Sequence, residues 1–148
     1  MATTIRIADV SEIYPIRNEV LRPGLSIESC YYPEDSRDGV FHLIAEQNEV
    51  AVGIASFYPE KHPEFTQANS WRLRGMATVD EVRGAGFGIQ LLQKGIEECR
   101  HKGADLLWCN ARTSALGFYQ KLNFGIKGDE FMIENIGPHF LMYYQYKR

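Results

Sequence analysis

Residues 83–88 read RGAGFG, so three glycines stand within six positions behind an arginine. A strand-like stretch precedes this segment and a helical stretch follows it. Glycine lets backbone N–H groups come close to phosphate oxygens, and the N-terminus of a helix attracts negative charge. The first helical turn, residues 88–91, carries no acidic side chain that would occupy that end. The segment therefore predicts an anion site suited to a diphosphate, with a plain flexible turn as the alternative.

Two other phosphate-binding loops fit this segment poorly. A dinucleotide fingerprint GxGxxG that starts at Gly84 needs a third glycine at the position of Ile89. It also needs an acidic residue at the end of the next strand, where the sequence has Cys109-Asn110. The GK[ST] signature of a Walker loop occurs nowhere in the chain.

The elements that position the turn follow from the spacing of apolar residues, which alternates or runs on in strands and recurs every three or four positions in helices. We expect strands at residues 4–8, 40–45, 50–58, 71–79, 106–110, 124–134 and 140–146. We expect helices from an N-cap at Ser11 to about Leu21, over residues 88–102, and after an N-cap at Thr113 or Ser114. Residues 25–39 should form a polar loop or a short irregular helix, and Gly103 should end the second helix.

This order of elements predicts a mixed α/β fold. A strand, the glycine turn, a helix and a further strand form a β-loop-α-β unit over residues 71–110, so its two strands should be parallel. The 148 residues are enough for one domain with its own core, which we take as residues 1–148.

The composition disfavours several classes of protein. Hydrophobic residues make up 45% and charged residues 24%, near the average of soluble globular proteins. No apolar run approaches the ~18 residues of a membrane span, and the N-terminus lacks the apolar region of a secretory signal. Cys30, Cys99 and Cys109 form no CxxC pair, which favours reduced thiols in the cytoplasm over disulfides or a metal site. The net charge of −3 disfavours nucleic acid as a partner.

Two motifs together resemble the GNAT superfamily of N-acetyltransferases. The segment from Arg83 to Gly88 is similar to the family motif R/Q-x-x-G-x-G/A, and the preceding GMATVDEV resembles the strand that leads into it. Downstream, Asn110 and then ALGFYQKLNF, residues 115–124, resemble A-x-x-F-Y-x-K-x-G-F, and IGPHFLMY resembles a closing hairpin of the family. Asn123 replaces the usual glycine, and asparagine tolerates the positive φ that this turn needs.

The resemblance implies a central, mostly antiparallel sheet that is splayed between two parallel strands and flanked by helices. It also implies acetyl-CoA as the cofactor, with no metal. The backbone amides of the turn would bind the diphosphate, and the pantetheine arm would pair with the strand that precedes it. The implied cofactor-binding residues are Met76, Ala77, Thr78, Arg83, Gly84, Ala85, Gly86, Phe87, Gly88, Asn110, Phe118 and Tyr119.

Acetyl transfer to an amine needs a polarised thioester carbonyl and a proton for the leaving thiolate. By family position, the backbone N–H of Met76 would polarise the carbonyl. Tyr119 occupies the position of the family's general acid, and a tyrosine of pKa about 10 can protonate a thiolate of pKa about 8.5. The alternative for Tyr119 is a core tyrosine with a local hydrogen bond. Cys109, inside an apolar run, is expected to pack rather than to act as a nucleophile.

The acceptor side is less defined. In a regular strand, Arg72 and Arg74 share the face of Met76, and neither can act as a base. They suit a carboxylate or phosphate of the acceptor, or else they pair with neighbouring acids. The base would be a water chain or His139, and the alternative for His139 is a structural residue of its turn. The acidic loop at residues 34–38 could attract cationic amines, although such loops are usually only solvated.

The function expected from these residues is direct transfer of acetyl from acetyl-CoA to a primary amine of a small molecule. An anionic group on that acceptor is a further hypothesis, based on Arg72 and Arg74. Two alternatives stay open, an acyl-CoA sensor without turnover and a protein N-acetyltransferase. No membrane or nucleic-acid partner is expected, and a homodimer is one assembly open to the chain.

Overall fold

The computed structural model describes residues 3–82 and 84–147, and its sheet has seven strands in the order β1-β2-β3-β4-β5-β7-β6. In chain order the strands are β1 (Thr3–Ala8), β2 (Phe41–Gln47), β3 (Val50–Pro59), β4 (Ser70–Thr78), β5 (Leu106–Arg112), β6 (Gly125–Ile133) and β7 (Gly137–Gln145). The α-helices are α1 (Val10–Ile16), α2 (Phe87–His101) and α3 (Leu116–Gln120). A π-helical turn covers Arg17–Leu21, and 3-10 turns cover Ile27–Cys30, Pro33–Ser36, Asp80–Val82 and Thr113–Ala115.

The strand directions make the sheet mixed. Ser70–Arg72 of β4 pairs with Leu106–Trp108 of β5 in parallel, as the β-loop-α-β unit predicts. The pairs β1–β2, β2–β3, β5–β7 and β6–β7 are antiparallel. The prediction of a mixed α/β fold is therefore confirmed. No helix within residues 3–82 and 84–147 is long and apolar enough to cross a membrane.

The described residues form two compact units. The first unit comprises residues 3–58, 73–82 and 84–97, and the second comprises residues 59–72 and 98–147. The assignment of residues 1–148 to one domain stays a prediction.

In the first unit, α1 begins with a capping box that the sequence analysis placed wrongly. The N-cap is Asp9 and not Ser11, because the Asp9 carboxylate accepts from the Ser11 N–H at 3.1 Å. The Glu12 carboxylate reaches back to the Asp9 N–H at 2.9 Å, so two backbone donors at this helix end are satisfied. The helix then buries Ile13 and Ile16 in a small apolar core whose other buried members are Ala8, Ile44, Ile54 and Ala77.

The helix α2 packs closely against β3 in the same unit. Leu91 and Leu92 are fully buried on its inner face. Three ring atoms of Phe57 lie within 2.7 Å of the point that a Cβ on Gly95 would occupy. Only glycine therefore lets helix and strand approach this closely. Gly103, with φ of +83°, follows the last turn of α2 as the sequence predicts.

In the second unit, β5 is buried on both faces, since Leu106, Leu107, Trp108 and Cys109 are all at most 2% exposed. The third helix begins only at Leu116, and neither Thr113 nor Ser114 caps it. The Thr113 hydroxyl instead donates to Glu130 at 2.7 Å. Asn123 has φ of +69°, so asparagine does adopt the left-handed turn after α3. β7 begins at Gly137, earlier than residue 140, which was expected.

Substitution of Gly95 by alanine should destabilise the first unit, because the new Cβ would overlap the Phe57 ring. Overpacking of this kind costs about 1–3 kcal/mol, and the higher helix propensity of alanine offsets about 1 kcal/mol of it. Chemical denaturation would measure the loss. Gly117→Ala is the matched control, since nothing lies within 4 Å of its new Cβ. Phe57→Leu in the Gly95→Ala background should recover part of the stability, and equal stability of Gly95→Ala and wild type would contradict the prediction.

Candidate functional site

The glycine turn of the first unit leads directly into the start of α2. Gly84 and Gly86 have φ of +85° and +89°, a conformation that glycine adopts without strain. The Ala85 N–H is bonded to the Val82 carbonyl at 3.0 Å, which anchors the glycine turn to the 3-10 turn before it. The first N–H groups of a helix have no partner within the helix, and the first turn of α2 holds no acidic residue. This end of α2 can therefore hold an anion. Arg83 lies outside the described residues.

The strand β4 leads to this turn and carries Met76, Ala77 and Thr78. Ala77 is buried in the apolar core of the first unit, while Met76 and Thr78 are half-buried. Gly75, directly before Met76, has φ of +68° and interrupts the regular strand. Burial nevertheless alternates across Gly75, since Leu73 and Ala77 are buried while Arg74 and Met76 are half-buried. The shared face of Arg74 and Met76 stays a prediction.

In the second unit, Tyr119 is held among aromatic rings at the end of α3. Its ring centroid lies 5.1 Å from that of Phe118 and 5.4 Å from that of Phe124, and its hydroxyl is hydrogen-bonded to the Cys109 thiol. Asn110 follows Cys109 on β5 and is half-buried opposite Leu141 of β7. The structure thus brings Tyr119 to the strand that carries Asn110.

Both partners of the tyrosine–cysteine hydrogen bond keep their protons at neutral pH. Burial raises the pKa of Tyr119 well above its ordinary value of 10.0, and Cys109 raises it further. Burial also raises the pKa of the Cys109 thiol to about 12. A neutral hydroxyl can donate a proton, whereas a neutral buried thiol is a poor nucleophile. The Tyr119 hydroxyl is therefore protonated and bonded to Cys109, and its role as general acid stays a prediction.

Each of the two strand arginines has its own acidic partner. Arg72 is paired with Glu60 at 3.2 Å, and its guanidinium lies 4.9 Å from the ring centre of Trp108. Arg74 is paired with Glu34 at 3.4 Å, and its guanidinium lies 4.1 Å from the ring centre of Tyr32. Pairing with neighbouring acids, one of the two alternatives, is thus what the contacts show, and a role of either arginine in acceptor binding stays a prediction.

His139 is buried at the start of β7, with 4% of its surface exposed. Its Nδ1–H donates to the Gly137 carbonyl at 2.8 Å, and its ring stacks on Phe131. These are the contacts of a residue that pins its turn. A role of His139 as base or acceptor ligand stays a prediction.

A buried polar network in the first unit was missed by the sequence analysis. Arg17 is fully buried, and its guanidinium donates to Asp35 and to the Cys30 carbonyl, both at 2.7 Å. It also donates to the Ser56 hydroxyl at 3.1 Å, and the Tyr58 hydroxyl donates to Asp35 at 2.7 Å. Burial alone would raise the pKa of Asp35, but the bonds from Arg17 and Tyr58 lower it below its usual value. The sequence feature that could have indicated this network is the position of Arg17, four residues after the buried Ile13.

His42 completes this network in its neutral form. Its Nδ1 lies 2.7 Å from the Ser56 hydroxyl, and its Nε2 lies 3.9 Å from the Asp35 carboxylate. Burial lowers the pKa of His42 below its ordinary 6.5, an effect that Asp35 opposes and Arg17 reinforces.

Comparison with known proteins identifies the family. Residues 9–124 match the acetyltransferase (GNAT) family, so the chain belongs to that family. The resemblance seen in the sequence and the fold that it implies are therefore confirmed.

The chain is 39% identical over 139 residues to "Uncharacterized N-acetyltransferase YitI" of Bacillus subtilis (strain 168), covering 94% of this chain and 93% of that one. Among solved structures, Escherichia coli ElaA is similar with a TM-score of 0.75 at 20% identity, covering 96% and 99% of the two chains. A ribosomal-protein-alanine N-acetyltransferase from Brucella melitensis is similar with a TM-score of 0.77 at 22% identity, covering 97% and 99%. At these identities the two structures show the shared fold alone.

Stability should fall as the pH drops below 6.5, because the unfolded chain then binds a proton at His42 that the folded chain resists. A lowered folded-state pKa means that this contribution is intact above pH 6.5 and is lost as the pH falls. For one proton the slope is at most about 1.4 kcal/mol per pH unit. We expect His42→Gln to flatten the loss between pH 6.5 and 5, as measured by urea denaturation.

The exposed His101 at the end of α2 provides the control. His101→Gln should keep the slope of the wild type. A His42→Gln variant that loses stability as steeply as the wild type would refute the assignment.

Proposed function

We propose that this protein is an acetyl-CoA-dependent N-acetyltransferase that moves the acetyl group directly to a primary amine of a small molecule. Membership of the GNAT family supports acyl transfer as the reaction. The observation that carries the finer proposal is Tyr119, a half-buried tyrosine whose hydroxyl is bonded to Cys109 and keeps its proton. A tyrosine with only a structural role would have no reason to lie at the position of the family's general acid.

The glycine turn fits the diphosphate of acetyl-CoA, which supplies an activated acetyl thioester when bound. Two glycines of positive φ let the backbone of residues 84–88 approach phosphate oxygens without a Cβ between them. The free N–H groups at the start of α2 add favourable dipoles. We assign this turn, with Arg83, to the diphosphate. We assign Met76, Ala77, Thr78, Asn110 and Phe118 to the rest of the donor.

The backbone N–H of Met76 would donate to the carbonyl oxygen that gains negative charge during transfer. A fixed backbone donor is effective because it needs no reorganisation when the charge develops. Gly75 supports this role, since its φ of +68° redirects the chain immediately before the Met76 N–H. Residues other than glycine rarely adopt such a φ, so the local backbone geometry depends on glycine.

Tyr119 would give its proton to the sulfur as the carbon–sulfur bond breaks and the new carbon–nitrogen bond forms. The amine gives up its own proton to water or, in the second alternative, to His139. Cys109 takes no covalent part, because its thiol stays protonated with a pKa of about 12. Transfer therefore goes directly from donor to amine.

The proposal is tested by release of free thiol from acetyl-CoA in the presence of single amino acids, polyamines and a peptide with a free N-terminus. We expect release with at least one small amine. Binding of CoA without release for every amine would instead support a sensor, and release with the peptide alone would support a protein N-acetyltransferase.

Tyr119→Phe should lower kcat by about 10²-fold, the usual contribution of a positioned acid, while the Kd for CoA stays unchanged. Steady-state kinetics and calorimetry would separate the two effects. Tyr146→Phe is a matched control, since the Tyr146 hydroxyl is also hydrogen-bonded to a cysteine, Cys99. It should keep the wild-type kcat. Full activity of Tyr119→Phe would remove the assignment of the acid.

Gln90→Glu should weaken CoA binding by about fivefold at low salt, because it places a negative charge in the first turn of α2 beside the diphosphate. Gln93→Glu introduces the same charge on the same helix, one turn further from its start, and should change the Kd much less. Both glutamines are exposed, so neither variant disturbs packing. Titration calorimetry at two salt concentrations would measure the difference, and equal effects of both variants would argue against a diphosphate at this helix end.

A further inference from the structure

Three arginines of the first unit converge on one tyrosine. The guanidinium carbons of Arg17, Arg74 and Arg22 lie 4.0, 4.1 and 5.8 Å from the ring centre of Tyr32. We call Arg17, Arg22, Tyr32 and Arg74 the Tyr32 cluster. An aromatic face attracts cations, but three positive charges this close also repel one another. The cluster therefore favours negative charge nearby.

Nearby carboxylates of the protein neutralise only part of the positive charge of the cluster. Asp35 binds Arg17 tightly, at 2.7 Å. Glu34 meets Arg74 at 3.4 Å, and both side chains are about a third exposed, at 28% and 32%. The Nε–H groups of Arg17 and Arg22 are buried and make no hydrogen bond within the part of the chain that the structure describes. Three guanidiniums thus share two carboxylates, and two donors stay unused.

The π-helical turn after α1 produces this arrangement. The Arg22 N–H is bonded to the Arg17 carbonyl at 3.2 Å, a link from residue i to residue i+5. In an α-helix, residues five apart are rotated by about 140° from each other. The wider turn instead brings Arg17 and Arg22 to the same side, where both reach Tyr32. Turns of this kind often occur at functional sites.

The three arginines differ in access. Arg17 is fully buried and paired with Asp35, so it adds positive charge to the cluster without reaching solvent. Arg74 and Arg22 are half-buried, and the ion pair of Arg74 with Glu34 is a single long contact. A ligand carboxylate can replace Glu34 on Arg74, because one carboxylate then takes the place of another. The planar guanidinium also permits a second hydrogen bond to the ligand.

The cluster lies beside the strand that carries Met76. A Cβ on Gly75 would be 3.9 Å from the Arg17 Nε, so this guanidinium faces the backbone directly before Met76. Arg74 precedes Met76 by two positions on the same strand. A small molecule with its amine directed to the Met76 peptide can therefore reach the cluster with a second group.

We propose that the Tyr32 cluster binds the carboxylate of the acceptor, which makes the acceptor an amino acid or a similar small amino carboxylate. This inference rests on the proposed N-acetyltransferase function. Arg22 and Arg74 bind the carboxylate, and Arg17 and Tyr32 hold them in place. Arg72, bound to Glu60 and Trp108, is not part of this site.

The test compares amino acids with their carboxamides as acceptors, which removes only the negative charge. We expect wild type to prefer the acid in kcat/KM. Arg22→Gln and Arg74→Gln should each raise KM for the acid about tenfold, the weight of a charge-assisted hydrogen bond, and leave the carboxamide and acetyl-CoA unchanged. Glu34→Gln should lower KM for the acid, because it removes the competing carboxylate. Arg6→Gln, the same charge change at an exposed ion pair of the first unit, should have no effect.

A thermal shift with excess amino acid, without acetyl-CoA, gives a second readout that does not need turnover. If carboxamides and polyamines are acetylated as well as the acids, the N-acetyltransferase function stands and the carboxylate site is wrong. If no amine is acetylated but the amino acid stabilises wild type and not Arg22→Gln or Arg74→Gln, the site stands and the function is wrong. Equal losses on acid and carboxamide in the two variants would also overturn the site.

Discussion

The guanidinium of Arg17 carries a positive charge that is fully buried, and polar groups of the first unit stabilise it. Its guanidinium binds the Asp35 carboxylate and the Cys30 carbonyl, and Ser56 and Tyr58 fill further positions. Removing one partner of such a pair costs about 3–5 kcal/mol, because the other charge is left buried alone. These bonds link the segment that carries Cys30 and Asp35 to the π-helical turn after α1 and to β3, and the surroundings of Tyr32 depend on them.

Local patterns predicted the parts of this protein that local physics determines. The period of α2, the glycine after its end and the apolar run of β5 each reflect contacts of neighbouring residues or uniform burial, and each was found where expected. The α1 cap was misplaced by two residues, because both Asp9 and Ser11 are good caps and only the Glu12 carboxylate decides between them. The start of β7 was expected at residue 140 and lies at Gly137, because Pro138, a residue that is rare in strands, occupies a strand position opposite Met132.

The donor side and the acceptor side of the proposed reaction differ in how well the sequence predicts them. The residues proposed for the donor lie in contiguous motifs, since a phosphate turn and the helix that bears Tyr119 are local structures. The acceptor side depends on partners far apart in the chain, such as Arg17 with Asp35 and Ser56, and on two backbone irregularities. Neither the π-helical turn nor the left-handed Gly75 has a signature in residue type alone. For that reason Arg72 and Arg74 seemed equivalent in the sequence, yet they contact different acids.

All three cysteines are buried, and two of them, Cys99 and Cys109, are hydrogen-bonded to tyrosines, with thiol pKa values raised by burial. Reagents that react with thiols attack the thiolate form, which Cys99 and Cys109 scarcely populate at neutral pH. A colorimetric thiol reagent added to the native protein would therefore report a small-molecule thiol set free in solution against a low background. The same shielding means that a single cysteine introduced on the surface could be labelled selectively, without first replacing those that the protein already has.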